Sequence, residues 1–408
     1  MKTLKNLFSQ RAYFTIYIFI FSVLFIYAAK MLYVRFPNEA YTWGEVFINY
    51  EGGFVRRALL GELLFLADPY IPVRIFYTSM YSVVFIFFVY FSYKKLMSVF
   101  DPLVVALLFS CPGLFLFNIF DINIFGRKYI FMYLMLLGMA QVCIGCLTKK
   151  SGLCRNTLAV AGLFIAGCLI YEVTIFYFPL FAVLLGVAYA RAKKTITWLL
   201  ITGFLLGGAV LVIVFFGAGS TDIRDAVFAS WARRYPDYTS MGGLYFIGDS
   251  LSISLRKFIE LFYSFPKTVG SIFLVLFLSV IPLVFLWKAH NLHKAVKELL
   301  SISVILRISF LLAALAPIGV FLIAADYGTF ISTTLMAYLY FLYAVFSVQP
   351  QTAAAWLPKL KGTLGYPGNA LARLLLLIYM LGWSIIHFVG PGGSFFQWGI
   401  IFKLKDFF

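Results

Sequence analysis

Residues 149–194 read KKSGLCRNTLAVAGLFIAGCLIYEVTIFYFPLFAVLLGVAYARAKK. Between Arg155 and Arg191 lie about 33 apolar residues, with Glu172 at their middle, whereas a hydrocarbon layer of about 30 Å takes roughly 20 helical residues. The run is too long for one untilted span and short for two. A single helix would put Lys149 and Lys150 on the opposite side from Arg191, Lys193 and Lys194, against the tendency of basic residues to collect on one face. A tight hairpin keeps both clusters together and predicts Glu172 at or just below the apex. A carboxylate partly in hydrocarbon costs about 2.5–3.5 kcal/mol, so it needs a partner or a purpose. A buried ion pair or a protonated turn residue is the structural alternative to a functional one.

Similar runs recur along all 408 residues, of which 63% are hydrophobic, 20% aromatic and 12% charged. Soluble chains carry about 25% charged residues, so this composition excludes nucleic-acid binders, cytosolic enzymes and disulfide-stapled secreted domains. Alternating apolar-out strands are absent, which argues against a barrel. The expected fold is an all-α, polytopic helical membrane protein forming one integral domain over 1–408. Hydropathy places about eleven spans, at 12–34, 75–92, 102–119, 129–147, 157–171, 173–190, 196–217, 269–287, 303–325, 329–347 and 371–389. Two outer segments are long, about 35–74 and, after the seventh span, about 218–268.

With the N-terminus (Lys2, Lys5, Arg11) cytoplasmic, the inner side collects about 18 basic and 2 acidic residues and the outer side about 15 and 14. The net charge of +17 therefore reflects topology rather than affinity for nucleic acid, and the C-terminus falls outside. The first span passes Tyr27-Ala28-Ala29-Lys30 without a small-x-small cleavage site and reads as a retained anchor. Cys143-x-x-Cys146 lies in an apolar helix and reads as packing, and Gly203-x3-Gly207 as a close helix contact. His290-x-x-His293 sits among inner lysines, where a metal role is the less favoured alternative. No glycine loop with Lys-Ser/Thr is present to hold a nucleotide.

In the first outer segment, Asn49-Tyr50-Glu51-Gly52-Gly53-Phe54-Val55-Arg56-Arg57 precedes a short apolar stretch closed by Pro69 and Pro72. It predicts an interfacial helix, with the glycine pair allowing an abrupt turn or a close approach to a ligand. Acids recur where spans reach the outside: Glu45 and Glu51, Asp121, Glu172, Asp222 and Asp225, and Asp326. Cations stand near them: Arg56 and Arg57, Arg127 and Lys128, and Arg224, Arg233 and Arg234 with Trp231. Charged turns at helix ends are ordinary, and a solvated loop anchored by Trp and Tyr accounts for the last group as well. Carboxylates accept protons from sugar hydroxyls and arginines grip phosphates through a planar fork, so the set fits sugar transfer from a polyprenyl phosphate or diphosphate. Glu51, Glu172, Asp121 and Asp326 are the candidate catalytic acids. Arg56, Arg57, Arg127, Lys128, Arg224, Trp231, Arg233 and Arg234 are the candidate phosphate and sugar contacts, and His387 is a further candidate base.

This layout resembles bacterial enzymes that use lipid-linked sugars: O-antigen repeat-unit polymerases and glycosyltransferases of the C-type membrane fold. The C-type first-loop acid maps onto Glu51, less well onto Glu45; the family's usual residue is Asp, and its second acidic pair is not evident, so no metal and no other cofactor is expected. The polymerase likeness rests on Arg224, Arg233 and Arg234, followed by Pro236 and Gly242-Gly243. It implies polymerisation at the periplasmic leaflet of the inner membrane, with the lipid-linked glycan, membrane lipid and glycan-assembly proteins such as a chain-length regulator as partners. Single-sugar transfer from a polyprenyl phosphate is the alternative. A lipid-linked oligosaccharide flippase would place ionisable residues near span centres, which is not the pattern here.

Overall fold

The computed structural model describes residues 10–38, 41–148, 152–213, 217, 219–239, 241–248, 256, 259–260, 266–323, 326–364, 370–388 and 393–399. Lys2, Lys5, Lys149, Lys150 and part of the 218–268 segment lie outside these residues. The first half holds α1 (Gln10–Val34), α2 (Thr42–Val46), α3 (Ala58–Ala67), α4 (Val73–Met97), α5 (Pro102–Phe109), α6 (Phe117–Phe120), α7 (Tyr129–Thr148), α8 (Leu153–Ile170) and α9 (Thr174–Arg191). The second holds α10 (Thr195–Leu211), α11 (Thr221–Ala232), α12 (Pro266–Ala289), α13 (Leu292–Leu300), α14 (Val304–Leu315), α15 (Ile318–Ile323), α16 (Tyr327–Val348), α17 (Trp356–Leu364) and α18 (Ala370–Leu381).

Among the described residues, eight apolar stretches are long enough to cross a bilayer: within α1, and α4, α7, α8, α9, α12, 304–321 and α16. The chain is a polytopic helical membrane protein. Its axis is α16, 78% of whose apolar window is buried, against 17% for α1 at the rim. In so apolar an interior, side-chain hydrogen bonds hold α16 to its neighbours. Tyr133 and Ser332 hydroxyls meet at 3.2 Å, Ser92 and Tyr340 at 2.8 Å, and Gln141 donates to Tyr343 at 2.7 Å.

Three of the eleven expected spans take another form. Segment 102–119 is not one helix: α5 ends at Phe109 and α6 begins at Phe117, because Pro112 has no N–H for the helical ladder. Among the described residues of segment 196–217, the α-helix is the seventeen-residue α10, of which Trp198 alone is buried. Segment 371–389 ends its helix at Leu381, after which the strands β1 (Trp383–Ile385) and β2 (Phe396–Trp398) pair antiparallel, Ser384 opposite Gln397. That ribbon is a small departure from an all-α fold, built from aromatic and β-branched residues that suit a pleated strand.

The hairpin expected at 155–191 is present as α8 and α9, with Glu172 in the three-residue turn between them. The glycine pair of the first long segment turns at Gly53 (φ +111) and brings Gly52 against the Ile223 backbone of α11, so the close approach is to the chain itself. The two long segments are thus packed together. Trp231 is fully buried, stacks on Phe47 at 4.2 Å and donates its ring N–H to the Phe47 carbonyl, while Asn49 donates to Ser230 at 3.0 Å.

α3 packs on the same unit through Gly61, where a methyl group would lie 1.9 Å from the Ile48 carbonyl oxygen. Gly203 and Gly207, read as a close helix contact, instead face open space, with no atom within 4 Å of an added methyl. Gly61→Ala is expected to lower stability by about 1–3 kcal/mol through backbone overpacking. Gly203→Ala should be neutral or stabilising by up to about 1 kcal/mol, since alanine favours helix. Thermal unfolding of both variants in detergent checks the contrast.

Candidate functional site

The charges follow from one constraint. An ionised group out of water must be paired and hydrogen-bonded, or it will not stay ionised. Arg127, 4% exposed, meets this with two carboxylates: its Nε donates to Glu45 Oε2 and an Nη to Asp326 Oδ2, each at 2.6 Å. Tyr129 donates to the same Asp326 oxygen at 2.9 Å, and its hydroxyl meets that of Tyr171 at 2.9 Å. The guanidinium of Arg57 lies 4.6 Å from the centre of the Tyr171 ring. Arg57 then closes a two-point fork on Glu172, with Nε to Oε2 and Nη2 to Oε1 both at 2.6 Å.

A continuous network therefore runs Glu45, Arg127, Asp326, Tyr129, Tyr171, Arg57, Glu172. Arg57 sits at φ +68, a left-handed conformation uncommon for a side chain of its size, and stays there because it is held at both ends. Glu172 holds its guanidinium, and the Lys128 ammonium donates to its carbonyl oxygen. Burial pushes the Glu172 carboxyl up, but the charge and hydrogen bonds of Arg57 outweigh it and hold the group down to about 2. Burial pushes the Lys128 ammonium down to about 7.

Asp121 stands beside the network. Its Oδ2 accepts from both the backbone N–H and ring Nδ1 of His387, each at 2.8 Å, and its Oδ1 accepts from the Asn123 N–H at 3.1 Å. The His387 ring packs edge-on against Tyr41 at 5.7 Å, and the Arg127 guanidinium lies 5.3 Å from the centre of the same Tyr41 ring. Burial lowers the affinity of His387 for a proton, and Asp121 more than restores it, leaving the imidazole raised above its ordinary value.

The candidate residues thus divide. Glu172, Asp326, Arg57, Arg127 and Lys128 come together, with Arg56 Nε at 3.9 Å from Glu172 and Asp121 one step away. Glu51 does not join them; it is exposed, and the first-loop acid in the network is Glu45, 1% exposed. Arg224 pairs with its neighbour Asp225, and Arg233 is exposed. Arg234 donates to the Phe65 carbonyl and lies 3.4 Å from Asp68. Trp231 offers no face to a sugar because both long segments enclose it. Tyr129 and Tyr171 escaped the sequence reading, although each directly adjoins a charged candidate, Lys128 and Glu172. Among the described residues, no three His, Cys, Asp or Glu side chains gather as metal ligands. His290 is buried against the backbone N–H of Asp101, and His293 is exposed.

Lys128 gives a pH signature. The folded protein sheds this proton near 7 and the unfolded chain near its ordinary 10.5, so between those values the unfolded chain holds more protons and stability rises with pH. His387 works in the opposite sense: its raised value adds stability that is full below its ordinary 6.5 and fades as pH climbs through the folded value. Subtracting the Lys128→Met variant isolates the lysine. The wild type should gain thermal stability relative to Lys128→Met as pH rises from 7 toward 10, read by thermal unfolding in detergent.

Comparison with protein-family models, with curated proteins and with solved structures finds no match to this chain.

Proposed function

We propose that the chain is a membrane glycosyltransferase, moving a sugar from a polyprenyl phosphate or diphosphate onto an acceptor hydroxyl at the outer leaflet of a bacterial inner membrane. The observation that carries this reading is a pair of buried carboxylate oxygens beside Arg127, Glu45 Oε1 and Asp326 Oδ1, that have no hydrogen-bond partner. Ionised carboxylates only accept hydrogen bonds, and an unmet acceptor costs about 1–3 kcal/mol when buried. Sugar hydroxyls supply the donors.

In the reaction the acceptor oxygen bonds to the anomeric carbon as the bond from that carbon to the phosphate oxygen breaks. The acceptor's proton passes to a carboxylate, and the phosphate leaves with the bonding electron pair, steadied by nearby cations. Asp326 suits the base better than Glu172, since one of its oxygens is unengaged while the Arg57 fork occupies both of Glu172's. Glu172 serves to fix Arg57.

Transfer of a single sugar is favoured over repeat-unit polymerisation. Arg57 and Arg127 are already neutralised by carboxylates and Lys128 is buried on the Arg57 carbonyl, leaving Arg56 for phosphate. The arginines that a polymerase with two lipid-linked substrates would use, Arg224, Arg233 and Arg234, are engaged or stand elsewhere. The concentration of charge at one end of the helices also speaks against a transporter with a midplane site.

Deleting the gene and running surface glycan on a gel tests the class. A one-sugar mass decrement is expected; a lost ladder would indicate polymerisation, and lipid-linked units accumulating on the inner leaflet would indicate transport. In the complemented strain, Asp326→Asn and Glu45→Gln should each cut transfer by about 10²–10⁴-fold with the protein still folded. Glu172→Gln, which strips Arg57 of its anion, should instead cost about 3 kcal/mol of stability. Full activity of both Asp326→Asn and Glu45→Gln would remove the catalytic proposal.

A further inference from the structure

Beside the network runs an apolar groove of about 250 Å³, walled by Phe164 and Cys168 of α8 and by Phe204 and Gly208 of α10, with Arg56 and Gly217 also in its lining. The face of α10 is cut back by glycine: a methyl group on Gly203, Gly207 or Gly208 would meet nothing within 4 Å. These glycines therefore do not serve to bring two helices together, and at Gly208 the missing side chain opens the groove. Cys168 lies in the last turn of α8, just before the turn that holds Glu172, and Arg56 lines the groove while approaching Glu172, so the groove adjoins the charged network. Arg56 is fixed there by its backbone N–H, which donates to the Gly217 carbonyl at 3.3 Å. Its guanidinium approaches Glu172 only to 3.9 Å, both oxygens of that carboxylate being held by Arg57, and its side chain is 29% exposed. A cation with donors to spare thus lines an otherwise apolar trough.

We infer that this groove seats the isoprenoid tail of a polyprenyl phosphate, with the phosphate on Arg56. The inference rests on the glycosyl-transfer reading and deepens it by giving the donor's lipid a place. A guanidinium matches phosphate through two parallel hydrogen bonds, which supply the attraction. Inside a bilayer the tail gains little from leaving other lipid, so the groove contributes fit. Its volume falls below the roughly 300–1,000 Å³ of a small-molecule pocket, a size for part of one chain. A glycerophospholipid would leave its second chain outside. A tail here places the phosphate beside Arg57 and Glu172, at the near end of the chain that leads through Tyr171 and Tyr129 to Asp326.

The full-length protein in phosphatidylcholine nanodiscs, titrated with radiolabelled undecaprenyl phosphate, tests the assignment. The wild type should bind saturably, and a tenfold excess of phosphatidylglycerol should not displace the probe. Gly208→Trp, which fills the groove from a position with open space around it, should weaken binding at least tenfold, and Arg56→Gln severalfold. Gly203→Trp, on the same helix outside the groove, should bind like the wild type. Asp326→Asn should bind normally while losing transfer. Unchanged binding in both Gly208→Trp and Arg56→Gln, equal loss in Gly203→Trp, or displacement by phosphatidylglycerol overturns the groove assignment. Full activity of both Asp326→Asn and Glu45→Gln with these binding results intact would overturn the catalytic reading and leave the lipid site standing, whereas an active wild type that binds no probe would overturn the lipid site alone.

Discussion

A guanidinium buried at the end of a membrane bundle must find its counter-charge inside the protein, and Arg127 finds two. Neither is local: Glu45 lies 82 residues before it and Asp326 199 after. Satisfying this one cation fixes the first long segment, the start of α7 and the start of α16 at a common point. Tyr129 and Tyr171 extend the tie to the α8–α9 hairpin, where Arg57 and Glu172 complete it. Breaking a pair of this kind strands a charge at a cost of about 3–5 kcal/mol, which is why the network can dictate backbone geometry such as the left-handed Arg57.

A network that only braced the bundle would be closed, with every acceptor met. This one is closed almost everywhere, and its exceptions are informative. Glu45 and Asp326 each keep one oxygen unmet, and Arg56 keeps donors unspent in the lining of the groove. On the proposed reading, the unmet acceptors take the sugar and the cation beside the apolar trough takes the phosphate and lipid. By contrast, the arginine-rich loop that looked most like a phosphate grip is used for construction. Arg234 stacks 3.5 Å from the Phe65 ring centre and caps the α3 region, while Trp231 fills the contact between the long segments.

Much of the architecture was legible because hydropathy is a local sum. A stretch of twenty apolar residues needs no knowledge of its neighbours to be driven into lipid, and eight of the expected eleven spans have that character. The hairpin around Glu172 followed from the length of its apolar run and the basic clusters at the two ends. The failures occur where backbone chemistry interrupts an apolar run, at Pro112 in segment 102–119 and beyond Leu381, where the chain turns to strand. Gly203-x3-Gly207 misled for a related reason, since spacing cannot tell glycines that admit a helix from glycines that border open space.

The sequence by itself determined that this chain is a helical membrane protein, and that its few acids, Glu172 and Asp326 among them, sit where apolar runs end. Composition and the energy of burying charge suffice for that, because both act residue by residue. Which acid meets which base was decided only by the tertiary structure. Glu45 rather than Glu51 faces Arg127, and Asp121 faces His387 across 266 residues of chain. Ion pairing falls off over a few ångströms, and separation along the chain says nothing about separation in space until the helices have packed.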